Sequence, residues 1–338
     1  MINTYLDTIG KTPVIKLKDR NIFAKLELNN PYGMKDRFAK YVIEKGIREK
    51  IIDKNSVIIE SSSGTLALGL ALVGNYYELE THIVTDPRID KLTLAKLSSL
   101  GTKVHIVEKM NDAGWQGARL GTLYKLKERY GSRAFWPQQY TNIDNQRSYS
   151  SIREDISNLG KEIDYFVCAV GSGGSISGTA TAIKEEFPNC RIIAVDCVGS
   201  TLFGRKDNPK RLQSGLGNSL IPANIDYNLI DEVHWLNDNE AFSATLDLAN
   251  NEQIFAGNSS GSVYWVSKYI STKFESSNVF TIFPDRGDRY LESIYSTSYW
   301  DSMKIERVDY DSCKPLKMKQ ISNCTDSWNY FDWNRKDR

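Results

Sequence analysis

Short β-branched runs alternate along this chain with longer stretches of helical period, a pattern that calls for a largely parallel sheet with helices on its faces. Strands are predicted at residues 22–28, 56–60, 81–85, 103–107, 165–170, 191–196, 232–236 and 279–283. Helices fill most of the gaps. Residues 91–100, for example, put Leu92, Ala95 and Leu100 near one face and stop at Gly101, a C-terminal cap. At 338 residues the chain exceeds one small core and fits two α/β domains. No repeat or low-complexity linker separates them, so ordinary loops cross the boundary. One half is expected from about residue 35 to 138, the other from both flanks. After about residue 304 the periodicity fades, and the tail carries Trp328, Tyr330, Phe331 and Trp333 among charges. It reads as an arm that docks on the body or on a dimer mate.

Lys+Arg of 43 against Asp+Glu of 42 leave a net charge of +1, so no global field draws the protein to nucleic acid or an anionic membrane. Small molecules or other proteins are the expected partners. Cys168, Cys190, Cys197, Cys313 and Cys324 are odd in number and show no CxxC spacing, which reads as buried reduced thiols of a cytoplasmic protein. The start has no basic flank before an apolar block, and nowhere do ~18 apolar residues run uninterrupted. His82, His105 and His234 fall in strand-like runs without metal-ligand spacing and read as structural.

Four turns rich in glycine or serine each follow a strand and open a helix, at residues 60–66, 171–175, 256–261 and 284–290. Such turns aim bare N–H groups and the positive helix end at one space, so together they point to an anionic ligand. Gly171-Ser172-Gly173-Gly174-Ser175 is the strongest. Its glycines let the main chain close on a phosphate, and Ser172 and Ser175 add hydroxyls. It lacks the Lys-Ser or Lys-Thr of a Walker loop and has Ile176 where a dinucleotide fingerprint needs its third glycine, so a monophosphate fits better. Ser62, Ser63 and Gly64 offer neutral donors for a small carboxylate, with a structural helix cap as the competing reading. Gln139, past an aromatic strand end, is placed to bond the same carboxylate. Lys35 stands at a helix entrance behind Pro31 and Gly33, where an amine is held and partly desolvated, as a Schiff base to a carbonyl cofactor requires.

Together these segments resemble the cysteine synthase/cystathionine β-synthase family, fold-type II pyridoxal phosphate enzymes, from about residue 9 to 303. Gly10-Lys11-Thr12-Pro13 looks like the family's opening motif, Lys35 falls on its Schiff-base lysine, and residues 171–175 match its phosphate loop. Gly215-Leu216-Gly217 is similar to the stretch beside the active-site mouth. The resemblance implies a tryptophan synthase β-like α/β fold of two three-layer αβα domains with mostly parallel sheets. It also implies a larger cofactor-binding domain (1–34 plus 139–305), a smaller mobile one (35–138), a C-terminal arm (306–338) and a homodimer. Within the family, Phe283-Pro284-Asp285-Arg286-Gly287-Asp288-Arg289 and residues 199–204 look more like the N-(2-amino-2-carboxyethyl)-L-glutamate synthases of 2,3-diaminopropionate biosynthesis.

The implied cofactor is pyridoxal 5'-phosphate. The implied reaction is β-replacement on a β-substituted L-serine through an aminoacrylate, with Lys35 as general base. O-phosphoserine and glutamate are the implied substrates, with O-acetylserine and sulfide as the alternative. Thr65 stands where the family places an asparagine on the cofactor's phenolic oxygen. Arg286 replaces the serine that meets the pyridine nitrogen, leaving Ser259 as the substitute. A phosphorylated donor asks for a further cation: Arg119 is the candidate, a surface helix arginine being the competing reading. These two replacements also leave open a non-catalytic cofactor-binding homologue acting through a partner.

Overall fold

The computed structural model describes residues 2–18, 20–111 and 114–333. Two compact units emerge: Met1–Lys11 with Asn29–Asp144, and Thr12–Leu28 with Asn145–Arg338. The strands, in chain order, are β1 (Val14–Lys16), β2 (Ile22–Lys25), β3 (Val57–Ser61), β4 (Glu80–Thr85), β5 (Lys103–Ile106), β6 (Ala134–Phe135), β7 (Tyr165–Ala169), β8 (Arg191–Cys197), β9 (Glu232–Leu236), β10 (Val279–Ile282), β11 (Leu316–Lys317) and β12 (Asn329–Asp332). The helices are α1 (Asp36–Arg48), α2 (Thr65–Tyr76), α3 (Lys91–Ser99), α4 (Gly114–Tyr130), α5 (Asp144–Arg147), α6 (Ile152–Ser157), α7 (Gly174–Glu186), α8 (Asp238–Glu252), α9 (Asn258–Lys273) and α10 (Thr297–Met303).

The smaller unit holds a parallel sheet in the order β5-β4-β3-β6. Strand alternation sorts its two faces. Ile58 joins Phe38, Val42, Leu66 and Leu70 of α1 and α2, while Val57 and Ile59 pack with Leu123 and Leu126 of α4. Helices therefore cover both sides, as an all-parallel sheet demands.

The larger unit is built on the order β1-β2-β10-β7-β8-β9-β12-β11. Its central strands β2, β10, β7, β8 and β9 run parallel, whereas β1 and β12 attach antiparallel. One core gathers Val167, Val195 and Leu236 from the sheet with Val263, Trp265 and Ile270 from α9. The α/β architecture expected from the alternation is what forms.

Two local expectations change. The strand expected over 22–28 stops at Lys25, and Glu27–Asn29 coil into a 3-10 turn ahead of Pro31, which cannot extend a ladder. In α3 the buried residues are Thr93 and Leu97, while Leu92 is 37 % exposed. The cap decides this: Asp90 accepts the Thr93 N–H and the Thr93 hydroxyl, both at 2.7 Å, which turns that face inward. Gly101 closes the helix at φ +73°, as expected.

The C-terminal arm docks on its own body. β12 pairs with β9 at the sheet edge, and Trp328 is buried with its indole N–H donating to His234 Nδ1 at 3.0 Å. All five cysteines are free thiols. Among the described residues no helix is long and apolar enough to cross a membrane, and no group of three or more His, Cys, Asp or Glu is placed to hold a metal ion.

Candidate active site

In the smaller unit, Lys35 is the N-cap residue of α1 and is partly buried. The approach to it is held by a carboxylate. Asp36 Oδ2 accepts the N–H groups of Tyr32 at 2.7 Å and Gly33 at 3.2 Å, folding the preceding turn back onto the first residue of the helix. Gly33 takes φ +142°, a conformation that side chains resist. A second brace follows: Arg37 Nη2 donates to Gly10 O at 2.9 Å, and the Gly10 N–H donates to Asn30 Oδ1 at 2.7 Å.

The same unit holds Ser62, Ser63, Gly64 and Thr65, where β3 gives way to α2. Ser62 donates its N–H to Val84 O at 3.1 Å, and its hydroxyl accepts the Gly64 N–H at 3.3 Å. Gln139 comes to this turn from the segment after β6. Its amide donates to Ser61 O at 3.1 Å, and it is buried. The two predicted carboxylate partners are thus side by side.

Arg119 is not a surface arginine. On α4 it is buried, with Nη1 3.3 Å from Asp86 Oδ2 at the carboxyl end of β4. Arg88 grips the same carboxylate through Nε and Nη2, each at 2.9 Å. Burial opposes ionisation of Asp86, yet the Arg88 bonds and the Arg119 charge hold its carboxyl below the usual range. Two guanidiniums against one carboxylate leave a net +1.

In the larger unit, residues 171–175 join β7 to α7. Gly173 is the N-cap at φ +86°. Close packing demands its small size: a Cβ there would lie 2.7 Å from the backbone of Asn224. One on Gly174 would lie 2.0 Å from Asn145 Oδ1. Asn145 also donates to Ser172 Oγ at 3.1 Å. The first N–H groups of α7 have no partner within the helix and face the turn. Gly215, at φ +83°, adjoins this turn, since a Cβ on Gly171 would sit 3.3 Å from its carbonyl oxygen. On its other side, a Gly215 Cβ would lie 3.5 Å from Ser259 Oγ. The hydroxyls of Ser259 and Ser260, in the first turn of α9, are buried without a hydrogen-bond partner. Arg286 is different: its side chain is 46 % exposed and its Nε is 3.6 Å from Asp288 Oδ2.

Pyridoxal phosphate asks for an amine, a cluster of donors for its phosphate and a polar group for its ring nitrogen. A cradle with no room for a Cβ and an orphaned buried hydroxyl at Ser259 suit the last two, and Lys35 suits the first. The residues present fit the group.

Two contributors were missed from the sequence. Asn145 carries no motif of its own and is found only through its contacts with Gly174 and Ser172. Glu60 had a signal that went unused, a lone charge closing the apolar run Val57-Ile58-Ile59. It is fully buried, and burial, opposed by N–H bonds from Ser61, Trp136 and Gln139, pushes its carboxyl up to about 7.

Residues 5–285 match the family described as pyridoxal-phosphate dependent enzyme. A hydrogen sulfide-producing enzyme from Fusobacterium nucleatum is 30 % identical with a TM-score of 0.80, covering 86 % of this chain and 100 % of its own. An O-acetylserine dependent cystathionine beta-synthase from Helicobacter pylori is 33 % identical with a TM-score of 0.79, over 88 % and 99 %. A cysteine synthase from Entamoeba histolytica is 25 % identical with a TM-score of 0.81, over 90 % and 95 %. On this match, and with a glycine cradle and helix-entrance lysine that suit the cofactor, the chain belongs to the pyridoxal-phosphate dependent enzymes, in their cysteine synthase-like, fold-type II branch.

Proposed function

We propose that this enzyme replaces the β-substituent of O-phospho-L-serine with the amine of L-glutamate, giving N-(2-amino-2-carboxyethyl)-L-glutamate and phosphate. The observation that carries this reading is the cluster in which buried Asp86 meets buried Arg119 and the exposed Arg88. Its surplus positive charge suits the dianionic phosphoryl substituent of O-phosphoserine better than the uncharged acetyl ester of O-acetylserine.

When bound, pyridoxal phosphate supplies an electron sink that acidifies the substrate's α-carbon. Lys35 Nζ is the group we assign to hold its carbonyl carbon and to carry the α-proton. Gly171, Ser172, Gly173, Gly174 and Ser175 are assigned to the phosphate, where backbone N–H groups and the α7 dipole favour a dianion. Ser259, orphaned and buried, is a better partner for the ring nitrogen than Arg286, whose side chain pairs outward with Asp288. Thr65 would donate to the phenolic oxygen from a position one bond nearer the backbone than the family's asparagine. Ser62, Ser63, Gly64 and Gln139 are assigned to the substrate carboxylate, with Gly215 at its side.

A second reading has specific support. The Helicobacter relative is described as O-acetylserine dependent and the Fusobacterium one as hydrogen sulfide-producing, so O-acetylserine with sulfide is the alternative pair. Arginine 119 discriminates between the two. Arg119→Ala is expected to lower kcat/KM for O-phosphoserine by about 10- to 100-fold, the worth of one charge-assisted hydrogen bond of roughly 1.5–3 kcal/mol, and to spare O-acetylserine. Equal losses on both donors, or faster turnover of O-acetylserine by the unaltered enzyme, would favour the alternative.

A further inference from the structure

We infer that Glu60 is a positioning residue, whose buried carboxylate holds the Gln139 backbone and the 61–65 turn in the pose that receives the substrate's carboxylate. This rests on the reading that Gln139 and the serine turn bind that carboxylate. Glu60 is the penultimate residue of β3 and is 2 % exposed, so it is shut away from any ligand. Its contacts all lead to the turn and to the segment after β6. Oε1 accepts the Ser61 N–H at 2.7 Å and the Trp136 indole N–H at 3.0 Å, while Oε2 accepts the Gln139 N–H at 3.3 Å.

Two features make the carboxylate more than a stabilising contact. Gln138 sits at φ +58°, a left-handed conformation that a non-glycine residue holds only when its surroundings impose it. The Gln139 N–H bond to Glu60 holds the residue after it, the Thr141 and Asn142 N–H groups hold the Gln138 carbonyl, and the Gln139 side chain donates to Ser61 O. The donors are N–H groups drawn from two separate segments, which a carboxylate with four lone-pair positions can bridge at once. A glutamine in its place keeps one acceptor oxygen and turns an NH2 against the remaining donors. Its shape is preserved while the bridge is lost.

The test uses the holoenzyme and L-serine as the carboxylate-bearing probe, with Kd read from the cofactor's absorption band. Glu60→Gln is expected to weaken L-serine by about tenfold, as loss of a hydrogen bond to a charged group does, and to leave the free enzyme's band and cofactor content unchanged. Gln139→Ala should weaken it similarly, and the double variant should lose less than the two single losses added together, because Glu60 acts in part through Gln139. Additive losses, or a Glu60→Gln enzyme that binds L-serine normally while Gln139→Ala does not, overturn the inference. Unchanged binding in Gln139→Ala and Ser62→Ala together would instead remove the carboxylate reading itself, and this inference with it. Should Glu60→Gln fail to fold, Trp136→Phe keeps the charge and takes away one donor. It should weaken L-serine by about threefold, and normal binding there beside a weakened Gln139→Ala enzyme counts against the proposal.

Discussion

The 171–175 turn before α7 and the 61–65 turn before α2 both follow a buried strand and both open a helix, yet different forces hold them. The glycine turn is shaped by exclusion: backbone and side chains press so close that a Cβ on Gly173 or Gly174 has no room. The serine turn is held by attraction, through a buried carboxylate that collects N–H groups from two segments. Packing does not respond to solution conditions, whereas a carboxylate pushed up to about 7 does. In the proposed roles, the turn fixed by packing would meet the cofactor that stays bound, and the one fixed by a titratable group the substrate that comes and goes.

Gly173→Ala should break the first turn most severely. It places a Cβ at φ +86° and 2.7 Å from the Asn224 backbone, at an expected cost of about 2–5 kcal/mol in stability. Cofactor should also be lost on dialysis. Denaturant unfolding with absorbance of the dialysed protein checks both, and a stable protein that retains its cofactor would show that the turn tolerates what its packing forbids.

The second turn should answer to pH. A carboxyl that keeps its proton up to about 7 when folded but releases it near the ordinary 4.5 when unfolded gives the unfolded state fewer protons between those values. The N–H groups draw the charge in but burial costs more than they return, so the net contribution is largest below pH 4.5 and falls as pH rises through 7, by up to about 3 kcal/mol in all. Asp196 in the larger unit, likewise pushed up to about 7 by burial, adds a similar slope, so the informative quantity is a difference. Unfolding free energies of wild type and Glu60→Gln, measured from pH 4.5 to 8, should converge as pH rises. A constant gap would mean that the carboxyl titrates normally.

Gly64→Ala is the smallest expected effect. Gly64 has extended backbone at φ −134°, which other residues also adopt, so the cost should stay below about 1 kcal/mol and cofactor content should not move. A loss as large as that of Gly173→Ala would erase the contrast between the turns.

The fold was readable where its physics is local. Apolar runs such as those of β7 and β10 mark central strands because both faces of a parallel sheet are covered, and β9 forms over residues 232–236 as expected. What stayed hidden depends on partners distant in sequence. Two-residue β6 exists because β3 pairs with it, and β12, spelled Asn329-Tyr330-Phe331-Asp332, becomes a strand by adding to the edge at β9. The candidate residues divide the same way. The roles proposed for Lys35 and the glycine turn rest on contiguous sequence. The burial of Arg119 against Asp86, and the reach of Glu60 to Trp136 and Gln139, appear only once β3, β4 and α4 are assembled.

The most direct measurement is a chemical trap. Purified holoenzyme is reduced with borohydride, digested and examined by mass spectrometry for a phosphopyridoxyl group. The expected result is a single modified peptide carrying the group on Lys35. Modification of a different lysine, or an unmodified Lys35 in a protein that holds its full complement of cofactor, would contradict the assignment on which the proposed chemistry depends.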